Sequence, residues 1–355
     1  MLNFFSVKKP TRSIFFQRFF SSTKPRIYVT RVLPDQAMKI LDQYFEYDVF
    51  RGNSAIPQDT LIKKVKDCVG LLCLLTDPIN ETVISHPNFS KIKMVANYAV
   101  GYENVNVAKL SELKIPVTNT PGCLTEATAD IAMSLILATH QRFLQHDQAL
   151  RSNQNGTILN FQKDTQDLNL DPLCNKTLGI VGLGRIGQAL AIRARGFGMK
   201  ILAYTRTPRP KISQRIGVEE LTKMDDLLQY SDFVSLNCPC TEQTKHLIGM
   251  EQLKMMKESA ILINTARGKI VVEDDLIYAL KKRIIKAAGL DVFYNEPKIN
   301  PELSKLQNTV LLPHIGSATT RARAGMGILA AQSLVDYLVH KKWPKNFVNK
   351  DIFIK

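Results

Sequence analysis

Three residues in the last third of the chain have side chains suited to carboxylate and proton chemistry. Arg267 lies in Ile263-Asn264-Thr265-Ala266-Arg267-Gly268. Glu296 lies in Gly289-Leu290-Asp291-Val292-Phe293-Tyr294-Asn295-Glu296-Pro297. His314 lies in Leu311-Leu312-Pro313-His314-Ile315-Gly316-Ser317-Ala318-Thr319. Each segment begins as an apolar, strand-like run. A guanidinium holds a carboxylate in a planar fork. An imidazole gives or takes a proton near neutral pH, and a carboxylate beside it fixes its orientation and favours the imidazolium. Upstream, Gly182, Gly184 and Gly187 stand in the spacing G-x-G-x-x-G. Gly182 permits a tight turn, Gly184 lets a pyrophosphate approach the backbone, and Gly187 lets a helix lie close to a sheet. The segment Gly182-Leu183-Gly184-Arg185-Ile186-Gly187 follows a predicted strand, 177–181, and opens a predicted helix, 186–197. The free N–H groups of that helix start suit phosphate.

These residues need a scaffold. From Arg26 the chain alternates β runs (26–30, 47–50, 69–75, 93–98 and 116–119) with helical stretches such as 34–44 and 57–66. After a long helical stretch without Gly or Pro, 126–151, the alternation resumes. Its strands are 178–181, 200–204, 233–237, 260–264, 287–291 and 309–312, and a last helix covers 319–339. Residues 153–173 read as a polar loop or arm. The pattern predicts an α/β fold of parallel sheets with helices on both faces. In such sheets ligands bind beyond the carboxyl ends of the strands, where Arg267, Glu296 and His314 all fall.

The chain has 355 residues, 45% hydrophobic and 22% charged, which suits about two globular domains. No apolar run reaches the roughly 18 residues of a membrane span. The six cysteines lie scattered in apolar stretches, which suits a reducing compartment better than a disulfide framework. Cys238 and Cys240 have no companion ligands at zinc spacing, so no metal is expected. The net charge is +15, yet no basic helix with interleaved aromatics points to nucleic acid. Lys8, Lys9, Arg12, Arg18, Lys24, Arg26 and Arg31 precede the first acidic residue, Asp35. This Arg-rich, Ser-containing, acid-free start reads as a mitochondrial presequence over residues 1–22, cut before Ser21. The expected location is the mitochondrial matrix, or the cytoplasm if the segment does not function.

The type of dinucleotide is also legible. NAD-selective sites carry an acid about 20 residues beyond the glycines, for the ribose 2′-OH. Here that place holds Thr205-Arg206-Thr207, and residues 172–218 contain nine basic side chains and no acidic one. A guanidinium there would hold a 2′-phosphate, so NADPH is expected over NADH.

The motifs GLGRIG, NTARG, GLDVFYNEP and LPHIGSAT, with Asn97-Tyr98-Ala99-Val100-Gly101-Tyr102-Glu103-Asn104-Val105, resemble in order and spacing the D-isomer-specific 2-hydroxyacid dehydrogenases. The resemblance covers nearly the whole chain from about Arg26. Within the family it is greatest to the glyoxylate reductase/hydroxypyruvate reductase type, on Gly70-Leu71-Leu72-Cys73-Leu74-Leu75-Thr76, Val117-Thr118-Asn119-Thr120-Pro121 and Tyr204-Thr205-Arg206-Thr207-Pro208-Arg209-Pro210. It implies two doubly wound parallel-sheet domains, a Rossmann cofactor domain (123–315) inserted into a flavodoxin-like substrate domain (26–122, completed by the C-terminal helix, 316–347).

It further implies that Arg267, Glu296 and His314 are catalytic, and that Val100, Gly101 and Ser317 bind substrate with Arg267 and His314. Asp291 would receive the nicotinamide carboxamide, and Pro239, Thr265 and Gly316 would complete the cofactor site. The implied reaction is reduction of small 2-keto acids, glyoxylate to glycolate and hydroxypyruvate to D-glycerate. A homodimer through 126–151 is implied too. The chain departs from this type at 153–173, which lacks the expected tryptophans; its one tryptophan is Trp343. Alternatives are a reductase of another 2-keto acid and a dinucleotide-sensing, corepressor-like binding protein of the same fold.

Overall fold

The apolar runs of the sequence become parallel strands in two sheets. This computed structural model describes residues 24–152 and 171–353. The first sheet contains β1 (Arg26–Val29), β2 (Glu46–Val49), β3 (Gly70–Leu74), β4 (Met94–Tyr98) and β5 (Val117–Thr118), in the order β2-β1-β3-β4-β5. The second contains β6 (Thr177–Val181), β7 (Lys200–Tyr204), β8 (Glu219–Leu221), β9 (Phe233–Leu236), β10 (Ile261–Asn264), β11 (Ala287–Leu290) and β12 (Thr309–Leu311), in the order β12-β11-β10-β9-β6-β7-β8. Both are doubly wound, as expected. The strand order reverses between β1 and β3 in one sheet and between β6 and β9 in the other.

The strands are apolar on both faces because each sheet is covered on both. Along β1, Ile27 and Val29 join one apolar cluster and Tyr28 joins the opposite one. Along β6, Leu178 and Ile180 face one cluster and Val181 the other. The C-terminal helix Thr320–Leu334 leaves the second sheet and returns to the first. There Met326, Ala330 and Leu334 pack with Ile27, Val29 and Met94. The chain then passes through a π-helical turn, Val335–Val339, and clasps β5. Phe347 bridges Thr118 antiparallel, and the Val117 N–H donates to Asn349 Oδ1 at 2.9 Å.

Two elements differ from the sequence reading. β8 is a strand of three residues on the sheet edge, paired to β7, and it is too short and too charged to show a period. The helical stretch 126–151 is two helices, Thr125–His140 and Phe143–Ser152. They part at Arg142, which adopts φ 52 at a cost of about 1 kcal/mol. Nearby, His140 anchors the end of the first helix, edge-on to Phe233 and with Nε2 2.7 Å from the Asp171 carbonyl. The expected presequence 1–22 and all but the end of the expected arm 153–173 lie outside the described residues.

Candidate active site

The glycine motif sits where the second sheet reverses. Gly182 turns out of β6 with φ 100, and a Cβ there would stand 2.8 Å from the Cys238 nitrogen beyond the neighbouring β9. A Cβ on Gly187 would run into the Gly182 carbonyl, so only glycine lets the helix Arg185–Gly196 lie this close. Gly184 caps that helix, no side chain satisfies its N-terminal N–H groups, and a Cβ on it would meet nothing within 4 Å. Arg185 and Ile186 open the same helix. Leu183 turns its side chain into the core, so it presents only backbone here.

Past the ends of β9 and β10, Asn237 Oδ1 and Thr265 Oγ1 are buried with no hydrogen-bond partner. Pro239, two residues after Asn237, accepts the Thr244 hydroxyl on its carbonyl. Buried polar atoms are rarely left unpaired. An open helix N-terminus, a bare Gly184 and two unpaired buried polar atoms on one strand-end rim fit a dinucleotide. Gly184→Ala is expected to leave the melting temperature within about 2 °C, because its methyl group meets no protein atom. It should weaken dinucleotide binding at least about tenfold, because the pyrophosphate needs that space. Calorimetry on the variant checks both.

Beyond β7, Thr205, Arg206 and Thr207 form an increasingly exposed turn. Arg206 reaches Gln243 Oε1 at 3.2 Å, a partner 37 positions away that no motif marks. The acid-free run is flanked in space by Glu220 of β8. That carboxylate is turned inward, accepting from the Arg209 N–H at 2.9 Å and from the Ser213 hydroxyl.

The second constellation forms where β10, β11 and β12 end. His314 Nδ1 lies 2.6 Å from Glu296 Oε2, and Glu296 Oε1 accepts the Phe293 N–H at 2.9 Å. Burial pushes the Glu296 carboxyl up, but the His314 hydrogen bond and charge outweigh it, with smaller help from Phe293 and Arg267. The carboxyl therefore lies below its ordinary value and stays ionised beside the imidazole. His314 itself adopts φ 54, an uncommon conformation for a side-chain-bearing residue. The turn is held by buried Asp291, whose two oxygens accept the N–H groups of Ile315 and Gly316 at 2.7 and 2.8 Å. Burial raises the Asp291 carboxyl, and those two hydrogen bonds oppose the rise. Asp291 thus has a structural task beyond the carboxamide contact expected of it. Thr128, unflagged by the sequence, donates to the Gly316 carbonyl at 2.9 Å. Ser317 follows, half-buried, ahead of the last helix.

The first sheet supplies the opposite wall. The loop after β4 carries Val100 and Gly101, and both carbonyls are tethered. Asn119 Nδ2 donates to Val100 O and Asn97 Nδ2 to Gly101 O, each at 2.8 Å. Asn346, from the C-terminal tail, in turn donates to the Asn119 carbonyl at 2.5 Å. Carbonyls tied back in this way leave the loop's N–H groups for a ligand. Arg267 meets this loop from the second sheet. Its Nη1 donates to its neighbour's carbonyl, Ala266 O, at 2.7 Å, and its Nε stands 3.3 Å from Glu103 Oε1. Asn264 pins the Arg267 loop through the Arg267 carbonyl and the Ala266 N–H. The structure brings together Arg267, Val100 and Gly101 across the cleft, with the Glu296–His314 pair close enough for Arg267 to act on Glu296.

The sequence profile of the D-isomer specific 2-hydroxyacid dehydrogenase, NAD binding domain, matches residues 133–316. A glyoxylate reductase of Thermococcus litoralis is 44% identical over 336 residues, which cover 93% of this chain and 98% of the relative. The crystal structure of a Thermus thermophilus protein superposes with a TM-score of 0.82 at 38% identity, covering 91% of this chain and 99% of that one. An NADPH-dependent glyoxylate/hydroxypyruvate reductase of Sinorhizobium meliloti, solved in complex with NADP and malonate, superposes with a TM-score of 0.80 at 30% identity, covering 92% and 97%.

Proposed function

The chain belongs to the D-isomer specific 2-hydroxyacid dehydrogenases, and from that premise we propose that it reduces glyoxylate to glycolate and hydroxypyruvate to D-glycerate, preferring NADPH to NADH. The observation that carries this reading is the Arg267 guanidinium meeting the Val100–Gly101 loop across the cleft from the Glu296–His314 pair. A 2-keto acid has a carboxylate next to a ketone, and those two groups need an anion fork and a proton donor side by side. The small substrates are supported by the Thermococcus litoralis relative, itself a glyoxylate reductase.

A bound nicotinamide dinucleotide supplies the hydride. Its pyrophosphate would lie on Gly184, Arg185 and Ile186, with Asn237, Pro239, Thr265, Asp291 and Gly316 along the rest. The chain's own residues do the remainder. The N–H groups of Val100 and Gly101 and the Arg267 fork hold the substrate carboxylate. Arg267 also polarises the ketone oxygen. His314 keeps its Nδ1 proton on Glu296 and donates from Nε2 to that oxygen. In the reverse direction the same Nε2 takes the proton back. Ser317 lines the substrate side of the His314 turn.

The cofactor preference rests on Arg206 in a turn without a carboxylate facing outward, and on the NADPH dependence of the Sinorhizobium meliloti neighbour. Arg206→Ala is expected to lower kcat/KM for NADPH at least about tenfold and to change that for NADH less than about threefold, since only the former carries a phosphate there. Following NADPH and NADH absorbance with a panel of 2-keto acids tests the whole reading. A clear NADH preference would overturn the clamp, and no turnover with any acid would overturn the reaction. We further propose a homodimer that covers Phe143, Leu144 and Leu150, each more than half exposed on or beside one helix. Light scattering at twice the chain mass checks it.

A further inference from the structure

We infer that Glu103 is a specificity-determining residue that restricts this site to keto acids with a single negative charge; the inference rests on the 2-keto acid reading above. Glu103 occupies the edge of Arg267 that a substrate carboxylate needs. The guanidinium has two edges that can fork a carboxylate. Nη1 gives one of its N–H groups to the Ala266 carbonyl at 2.7 Å. The Nε–Nη2 edge, the one turned to the first sheet's loop, faces Glu103 at 3.3 and 3.5 Å. Gly101 is packed against the same pair. A Cβ on it would collide with Arg267 Nη2 and stand 2.5 Å from Glu103 Oε2. Glu103 thus already sets a carboxylate on that edge of Arg267, where the guanidinium meets the Gly101 loop.

The pair is built to exchange. Charged hydrogen bonds of this kind close to about 2.7–2.9 Å, so 3.3 and 3.5 Å is a loose engagement. Glu103 is 39% exposed and Arg267 26% exposed, so the carboxylate can turn to water without being stranded. Among the described residues, this is the one ion pair that joins the first sheet's domain to the second's. A keto acid with one carboxylate replaces Glu103 on Arg267, so the guanidinium exchanges one carboxylate for another while Glu103 turns to water. A keto acid with a second carboxylate adds a negative charge within a side chain's length of Glu103, with Glu296 also ionised beside His314. Lys245 and Lys269 share this rim, and with Arg267 and Glu103 they act on the Cys240 thiol. They attract a dianion more than a monoanion, so Glu103 works against them, and its contribution is read from the change in the ratio when its charge alone is removed.

The test is equilibrium binding, so it does not depend on turnover. Oxamate, with one charge, and malonate, with two at pH 8, are titrated calorimetrically into the full-length protein with saturating NADP+. The proteins are wild type, Glu103→Gln and Glu103→Asp. Glu103→Gln is expected to improve malonate affinity relative to oxamate about tenfold, the scale of one partly screened charge at this range. Glu103→Asp, which keeps the charge, should return the ratio to the wild-type value. An unchanged ratio in Glu103→Gln, or the same shift in Glu103→Asp, would overturn the inference alone. No binding of oxamate to wild type would overturn the keto-acid reading beneath it, and the inference with it.

Discussion

His314→Ala is expected to lower kcat for keto acid reduction by about 10²- to 10⁴-fold, the usual contribution of a positioned general acid. Dinucleotide affinity should stay within about threefold of wild type, because no imidazole atom serves the glycine cradle. The fold should survive the change. The turn that carries His314 is held by Asp291 through the Ile315 and Gly316 N–H groups, and by Thr128 on the Gly316 carbonyl, not by the imidazole. Alanine at φ 54 bears a left-handed penalty of the same kind that His314 already bears. Glu296→Gln should fall between the two. The amide can still meet Nδ1, but it no longer favours the imidazolium. In wild type, Glu296 lies below its ordinary value and so stays ionised near neutral pH. A His314→Ala enzyme within tenfold of wild type in steady-state kinetics would remove His314 from the reaction.

The parts of this site that were legible in the sequence are local. Arg267, Glu296 and His314 each follow a strand within a few residues, and G-x-G-x-x-G announces a turn whose chemistry is written in its own backbone. The strands were legible for a similar reason: β1, β3, β4, β6, β9, β10 and β11 are buried on both faces along most of their length and read as largely apolar runs. β8 was not, because three residues on an edge carry no pattern. The break at Arg142 was hidden because nothing but the surrounding packing imposes it; neither Gly nor Pro marks it. The residues that position the candidate catalytic groups were hidden by distance along the chain. Asn119 is held by Asn346, 227 positions away, and Thr128 reaches Gly316 across 188. An Asn or Thr in a turn has many possible local partners, and only the fold selects one. Glu220 shows the converse. A carboxylate just outside an acid-free run could have spoiled a phosphate clamp, but the edge strand turns it toward Arg209 and Ser213.

Arg267→Ala should be the other severe substitution, lowering kcat/KM for keto acids by about 10²- to 10⁴-fold, the range for removing one partner of a desolvated charge pair. The loss should appear in KM as well as in kcat, unlike that in His314→Ala, because the role proposed for Arg267 is to hold the carboxylate before reaction and polarise the ketone during it. Arg267→Lys should recover only part of the loss. An ammonium restores the charge but not the planar fork, and the pinned loop around Asn264 gives a shorter point charge no way to reach the Val100–Gly101 wall. Arg267→Ala also removes the partner of Glu103, leaving an unopposed carboxylate where the substrate carboxylate must bind. Adding Glu103→Gln to Arg267→Ala should therefore improve KM for glyoxylate over the single variant, although it restores no positive charge. Steady-state kinetics of the three enzymes measure both effects. An Arg267→Ala enzyme with kcat/KM within tenfold of wild type would refute its assignment as the substrate fork. A double variant no better than the single one would mean that Glu103 turns fully to solvent once Arg267 is gone.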